Sequence, residues 1–334
     1  MITLQPPFAI YLGNVQNPLD AKTGFGLAQW RPEDCVAQIK RRTCKVDLGL
    51  ANMNISQAQM AGAKTLIIGV APSGGKLPHA WQEDVLTAID AGLNVASGLH
   101  QRLNQIPELV QAAGQSGSQL IDVRDTDRPF NVASGRKRSG KRILTVGTDC
   151  CVGKKYSALA IHRALLEDGV NTDFRASGQT GILISGSGIP IDAVISDFIS
   201  GAAEELSPDN DPDHWDVVEG QGAIYHPGYA AVTLGLLHGS QPDALVLCHD
   251  HGRNEIDEYP DFRIPNIEDH LQHYLILARL TNKNVRWAGI CLNTSHVHPD
   301  DRQDVLEEYR RLYKMPCVDP LIDGVGDIVQ QLGQ

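Results

Sequence analysis

Short apolar runs alternate along this chain with longer segments in which apolar residues recur every third or fourth position. That alternation predicts a parallel α/β architecture. In the first half FAIYLG (Phe8–Gly13), TLIIGVA (Thr65–Ala71), LNVASG (Leu93–Gly98) and QLIDV (Gln119–Val123) read as strands. Pro32–Arg42, with proline at a favourable first-turn position, and Ala80–Ala91 read as helices between them. NVASGRKRSGKR (Asn131–Arg142) is rich in glycine, serine and charge, lacks any apolar period, and reads as a domain joint. Strands resume with RILTVGT (Arg142–Thr148), DVVEGQG (Asp216–Gly222), DALVLCHD (Asp243–Asp250) and VRWAGICLN (Val285–Asn293). The pattern predicts two α/β domains, residues 1–135 and 136–334, without internal repeats.

Composition narrows the function classes. The 334 residues are 42% hydrophobic and 21% charged, as expected of a globular protein with sizeable cores. The net charge of −11 disfavours nucleic acid and anionic membrane surfaces as partners, so an anionic ligand needs a local basic pocket. The seven cysteines form no CxxC pair, and no apolar run approaches the length of a membrane helix. With no basic-then-apolar leader, the expectation is a soluble cytoplasmic protein with reduced thiols.

The chemistry concentrates at GTDCCVGKK (Gly147–Lys155), where a strand meets an amphipathic helix. Strand, glycine-containing turn and Gly-Lys at a helix start are the layout of a phosphate-binding loop. Its backbone N–H groups form an anion nest, the helix N-terminus adds positive potential, and Lys154 supplies a mobile charge. Gly147, Thr148, Asp149, Cys150, Cys151, Val152, Gly153, Lys154 and Lys155 are therefore the candidate cofactor-binding residues. Loops that handle Mg-ATP end Gly-Lys-Ser/Thr because that hydroxyl ligates the metal. Here the position holds Lys155, which weakens a metal site unless Asp149, Asp216 or Glu219 compensates. A second strand, WDVVEGQGAIYHPG (Trp215–Gly228), ends in Glu219 and a Gly-x-Gly turn and leads to His226. Strand ends in an open parallel sheet line the ligand crevice, so Glu219 and His226 are expected to share it with Lys154.

GTDCCVGKK and VVEGQG resemble the GTDTxVGKT and VEGAGG motifs of dethiobiotin synthetase, over Arg142 to about Val329. The whole chain more closely resembles the D-glutamate (D-amino acid) N-acetyltransferase family, in which a Rossmann-like domain precedes such a P-loop domain. GNVQNPLDAKTGFGLAQW, GVAPSGGKLPHAW and ASGQTGILISGSGIPIDAVISDFISGAAE carry that likeness beside the two motifs. The resemblance implies a Rossmann-like N-terminal domain, a P-loop NTPase-like parallel-sheet domain, and acetyl transfer from acetyl-CoA to the amine of a D-amino acid such as D-glutamate. Small-molecule partners and a homo-oligomer are implied with it.

Coenzyme A carries a pyrophosphate and a ribose phosphate that acyl transfer never breaks, so a lysine-lined cradle would hold it without metal. Aminolysis of the thioester then needs a base and oxyanion donors. Glu219 and His226 are the candidate catalytic bases, and N–H groups after Thr180 and Gly220 the candidate donors. Arg175, with Gln179, Thr180 and Gly181 in the ASGQTG that follows, makes up the candidate substrate-binding set. Cys150 and Cys151 raise a ping-pong alternative through an activated thiolate. HDHGR (His249–Arg253) and HVH (His296–His298) have metal-ligand residue types but read as solvated loop histidines. SGGK (Ser73–Lys76) and SGLH (Ser97–His100) are candidate anion-binding turns of the first domain. Two other functions compete: an ATP-dependent ligase or carboxylase like dethiobiotin synthetase, and a non-catalytic nucleotide-responsive binding protein.

Overall fold

The computed structural model describes residues 4–72, 74–126 and 129–333. In chain order the first part holds β1 (Phe8–Gly13), α1 (Lys22–Trp30), β2 (Cys35–Lys40), α2 (Ile55–Met60), β3 (Thr65–Ile68), α3 (His79–Asp90), β4 (Asn94–Ser97), α4 (Pro107–Ser116) and β5 (Leu120–Asp122). Then follow β6 (Lys141–Gly147), α5 (Lys154–Glu167), β7 (Thr172–Arg175), α6 (Gln179–Ser185), α7 (Ile199–Leu206), β8 (Trp215–Val218), α8 (Ala230–Ser240) and β9 (Ala244–Asp250). The chain closes with β10 (Glu255–Ile256), β11 (Tyr259–Arg263), α9 (Ile267–Ala278), β12 (Arg286–Asn293), α10 (Arg302–Tyr313), β13 (Cys317–Val318) and α11 (Gly326–Leu332). Two compact units form, Met1–Asp127 with Gln179–Ala193, and Arg128–Gly178 with Val194–Gln334.

In the first unit five parallel strands run in the order β2-β1-β3-β4-β5. The expected strands are present, the first over the full Phe8–Gly13 and the other three trimmed at one or both ends. The helix expected over Pro32–Arg42 is not. Pro32–Asp34 make one 3-10 turn, and Cys35–Lys40 then pair with β1 as an edge strand. Burying Cys35, Ala37 and Ile39 against the sheet outweighs the weak local helix signal. Strand order reverses between β1 and β3, and there α1 approaches the sheet, Gly24 N–H donating to Gly69 O at 2.8 Å.

In the second unit six parallel strands run β13-β12-β9-β6-β8-β7, with β10 and β11 as a separate antiparallel hairpin. Ile143, Val217, Val246 and Ala288 of the sheet bury against Ile161 and Leu165 of α5 and Ile328 of α11. The basic stretch expected as a bare joint packs into this unit. Arg142 is fully buried and donates to Ser139 O, Pro208 O and Ser207 O, while Arg138 donates to Ser207 O and Gly239 O. Burial and the neighbouring Arg142 bring the Arg138 guanidinium down to about 10.

Candidate functional site

β6 delivers the loop. Gly147 O accepts from the Tyr274 hydroxyl at 2.8 Å, and Thr148 N–H donates to Cys248 O of β9 at 3.1 Å. The chain turns through Cys151 (φ 56°) and Gly153 (φ 100°), and Gly153 caps α5. The first N–H groups of α5 have no carbonyl one turn back and present positive potential to the loop. Lys154 is buried and folds back, Nζ donating to Asp149 O at 2.6 Å. Val152 is buried, Cys150 half-buried and Cys151 exposed. Lys155 takes another direction, its ammonium 4.1 Å from the centre of the Tyr156 ring.

Asp149 organises the loop's other side. It is fully buried, and its Oδ1 accepts from Cys150 N–H at 2.6 Å. Its Oδ2 accepts from Asp257 N–H at 2.9 Å and from Arg253 Nη1 at 3.2 Å. Arg253 also holds Asp250 and donates to Cys150 O. The β10–β11 hairpin is thereby tied to the loop, and its Tyr259 ring packs edge-on to His226 at 5.1 Å. Asp257 carries no signal in the sequence, and Arg253 appears there only as the end of HDHGR, although its Asp-x-x-Arg step with Asp250 at a strand's carboxyl end is legible.

Glu219 and His226 both lie on the turn after β8. Gly220 fits against β6 only because it lacks a side chain: a Cβ would stand 1.7 Å from Thr145 O and 3.2 Å from Lys154 Cδ. Glu219 is buried, and its Oε2 accepts from Ser177 N–H and Gly178 N–H, both at 3.1 Å. Gln221 Nε2 donates to Ser177 Oγ at 3.0 Å and completes that turn. His226 Nδ1 accepts from Gly228 N–H at 3.0 Å and Tyr229 N–H at 3.2 Å. The imidazole proton therefore sits on Nε2, which lies 3.9 Å from Asp149 Oδ1. Burial lowers the His226 pKa and outweighs the opposing pull of Asp149. In this arrangement His226 is a neutral hydrogen-bond donor.

The substrate-binding candidates are divided. Arg175, at the end of β7, is held by protein carboxylates, Nε on Asp216 at 2.7 Å and Nη2 on Asp173 at 2.8 Å. Two of its three guanidinium nitrogens are thus engaged by the protein's own carboxylates. Gln179, Thr180 and Gly181 open α6, in the first unit. Thr180 Oγ1 meets Thr23 Oγ1 at 2.9 Å, and the Gln179 amide, turned with nitrogen toward Gly98, donates to Gly98 O at 2.8 Å.

Asp216 does not compensate at the loop, since it pairs in register with Arg142 near the start of β6. One donor atom each from Asp149, Cys150 and His226 lies within 4.8 Å of the others, a spacing a metal ion can accept, but Arg253 already neutralises the carboxylate. His296 and His298 are exposed as expected, whereas His249 is buried. It is the last residue but one of β9, and its Nδ1 meets Thr148 Oγ1 at 2.9 Å. Burial, helped by His270, His251 and Arg253, drives its pKa down to about 4. Of the first-domain turns, Ser73 lies outside the described residues; a Cβ at Gly75 would stand 2.5 Å from His100 Cδ2.

Comparison with known proteins gives this arrangement its context. Residues 131–329 match a domain of unknown function, the DUF1611 C-terminal P-loop domain, and residues 40–126 match its N-terminal Rossmann-like domain. A D-glutamate N-acetyltransferase of a Pseudoalteromonas species is 45% identical over 98% of this chain and 99% of its own length. A second protein of that name, from Tritonibacter scottomollicae, is 44% identical over the same shares. The crystal structure of a DUF1611 family protein from Anabaena variabilis superposes with a TM-score of 0.91 at 32% identity, covering 99% of this chain and 100% of that one.

Proposed function

The chain belongs to the DUF1611 family, and from that premise we propose that it transfers the acetyl group of acetyl-CoA to the amino group of D-glutamate or a similar D-amino acid. One observation carries the reading at the site. The loop is built for phosphate, yet its metal-ligating hydroxyl is replaced by Lys155, in a chain whose full-length relatives are named for this reaction. Such a loop suits a pyrophosphate that is held rather than cleaved.

Acetyl-CoA supplies the thioester. The loop N–H groups and Lys154, released from Asp149 O, would hold its phosphates without a metal, while Arg253 offsets the charge of the buried Asp149. Glu219 takes the base role, since the Nδ1 lone pair of His226 is engaged by two backbone N–H groups. The substrate ammonium gives a proton to the carboxylate, the free amine forms the C–N bond at the thioester carbonyl, and the C–S bond breaks with the pair leaving on sulfur, which takes the second nitrogen proton to become the free thiol. His226 Nε2–H and the N–H groups of Gln221 and Gly222 are the donors proposed for the developing oxyanion, the Gly220 N–H being held by Thr145 Oγ1.

The reaction belongs to D-amino-acid catabolism in the cytoplasm, with small molecules as partners and neither nucleic acid nor membrane. The negative net charge supports this, as does the lack of any helix among the described residues long and apolar enough to cross a membrane. A homo-oligomer is part of the same proposal. The test is thiol release from acetyl-CoA with D-glutamate in excess EDTA. Stoichiometric N-acetyl-D-glutamate is expected, and L-glutamate is expected to react poorly. Turnover that demands ATP and Mg²⁺ points to the ligase alternative, and ligand binding with no turnover points to the binding-protein alternative; either overturns the reading.

A further inference from the structure

The basic run at the end of β2 takes no part in the loop chemistry. Lys40, Arg41 and Arg42 stand there in a chain of net charge −11, and all three line a cavity of about 510 Å³ bounded by β2, α2 and α3. That volume lies within the range of roughly 300–1,000 Å³ usual for small-molecule sites. The reversal point between β1 and β3, where such sheets often hold ligands, is approached by α1, whereas the end of β2 lines this cavity.

The lining is built to donate. Arg41 is oriented by Asp84, Nε on Oδ2 at 2.6 Å and Nη2 on Oδ1 at 3.4 Å, and the Tyr11 hydroxyl donates to the same carboxylate. Its Nη1 is what Arg41 has left to offer. Asn54 and Gln57 close the capping box of α2 through their amide oxygens, at 2.8 and 2.9 Å, so their remaining groups are N–H donors. Lys40 bonds Asp47 at 2.8 Å with one of its three protons. Arg42 is exposed and has no acidic partner among the described residues. Ile39, Met53 and Ile55 add an apolar wall. Cations and amide donors beside an apolar wall suit an anion with a flat apolar body, and arginine at the end of β2 is the position that accommodates a nucleotide's sugar phosphate in doubly wound sheets.

We propose that this cavity is a second anion site, in the first unit, that takes a nucleoside phosphate. Arg41 Nη1, Arg42 and Lys40 hold the phosphate, and Ile39, Met53 and Ile55 pack on the base. The test is calorimetric titration of the full chain with adenosine 3′,5′-bisphosphate, inorganic phosphate and D-glutamate, in the Lys154→Ala background to silence the loop. Saturable binding of the bisphosphate is expected, weakened about 10- to 100-fold by Arg42→Glu and largely kept by Arg42→Lys. Arg42 is exposed and has no acidic partner among the described residues, so thermal melting should stay within a degree or two. The unaltered chain should bind two equivalents of the bisphosphate, and its Arg42→Glu form one. The proposal is overturned by absence of binding in the Lys154→Ala chain together with a single equivalent in the unaltered chain. It is equally overturned by binding indifferent to Arg42→Glu, or by inorganic phosphate or D-glutamate binding as tightly as the nucleotide. Acetyl transfer is not the readout, so such a failure leaves the assignment of the loop untouched.

Discussion

Lys154 Nζ lies 2.6 Å from the carbonyl oxygen of Asp149, so the loop's own lysine closes the cradle that its backbone amides line. A ligand phosphate offers that ammonium a better acceptor than a neutral carbonyl, because both partners are then charged. Lys155, one residue on, lies over the Tyr156 ring.

The first prediction separates these two lysines. Lys154→Ala should weaken acetyl-CoA by about 1.5–3 kcal/mol, the worth of a hydrogen bond to a charged group, and Lys155→Ala by less than about 0.5 kcal/mol. Isothermal calorimetry in EDTA measures both. Equal and small losses at the two positions would remove the loop as the cofactor site.

Glu219 directly follows β8 and holds the Ser177–Gly178 turn through two N–H groups. Glutamine keeps an oxygen for those donors but cannot accept a substrate proton. Glu219→Gln should therefore leave the acetyl-CoA affinity near its original value and lower kcat by about 10²–10⁴-fold. Near-normal turnover with D-glutamate would reduce Glu219 to a turn cap, and joint loss of binding would make it a structural support.

Arg253 neutralises the buried Asp149 and ties the β10–β11 hairpin to the loop. Removing one partner of a buried pair leaves the other charge uncompensated. Because Arg253 keeps some exposure, Arg253→Ala should cost about 2–3 kcal/mol in urea unfolding, below the range for fully buried pairs. A double-mutant cycle with Asp149→Asn should show favourable coupling of about 1–3 kcal/mol. Strict additivity of the two changes would contradict the latch.

His249 gives the chain an acid sensitivity of definite sign. Its folded-state pKa, about 4, lies below the ordinary 6.5, so between these values the unfolded chain takes up a proton that the folded chain refuses. Stability is fully present above pH 6.5 and falls as the pH drops toward 4, by up to about 3 kcal/mol from this residue. Buried His226 and His270 act in the same direction. Urea midpoints measured from pH 8 to 4.5 should fall, and His249→Gln should flatten the slope. An unchanged slope would place the acid sensitivity elsewhere.

By itself the sequence determined the alternation of strands and helices, the phosphate loop, and the strand that ends in Glu219. Those features are local: a run of apolar residues long enough for one strand, or a glycine turn before a helix, is specified by neighbours in the chain. Tertiary structure decided the rest. Cys35–Lys40 became an edge strand because β1 offered a ladder and a surface on which to bury Cys35, Ala37 and Ile39. Arg175, read as a substrate contact, was claimed by Asp173 and Asp216, one of them across a strand boundary. The tautomer of His226 depends on the backbone amides of Gly228 and Tyr229 folding back onto its ring, and the environment of His249 depends on Thr148 of the loop and the Tyr309 ring of α10 coming against it. Charge and residue type can be read along one dimension, but a partner brought from a hundred residues away, as Arg253 is to Asp149, exists only once the sheet has assembled.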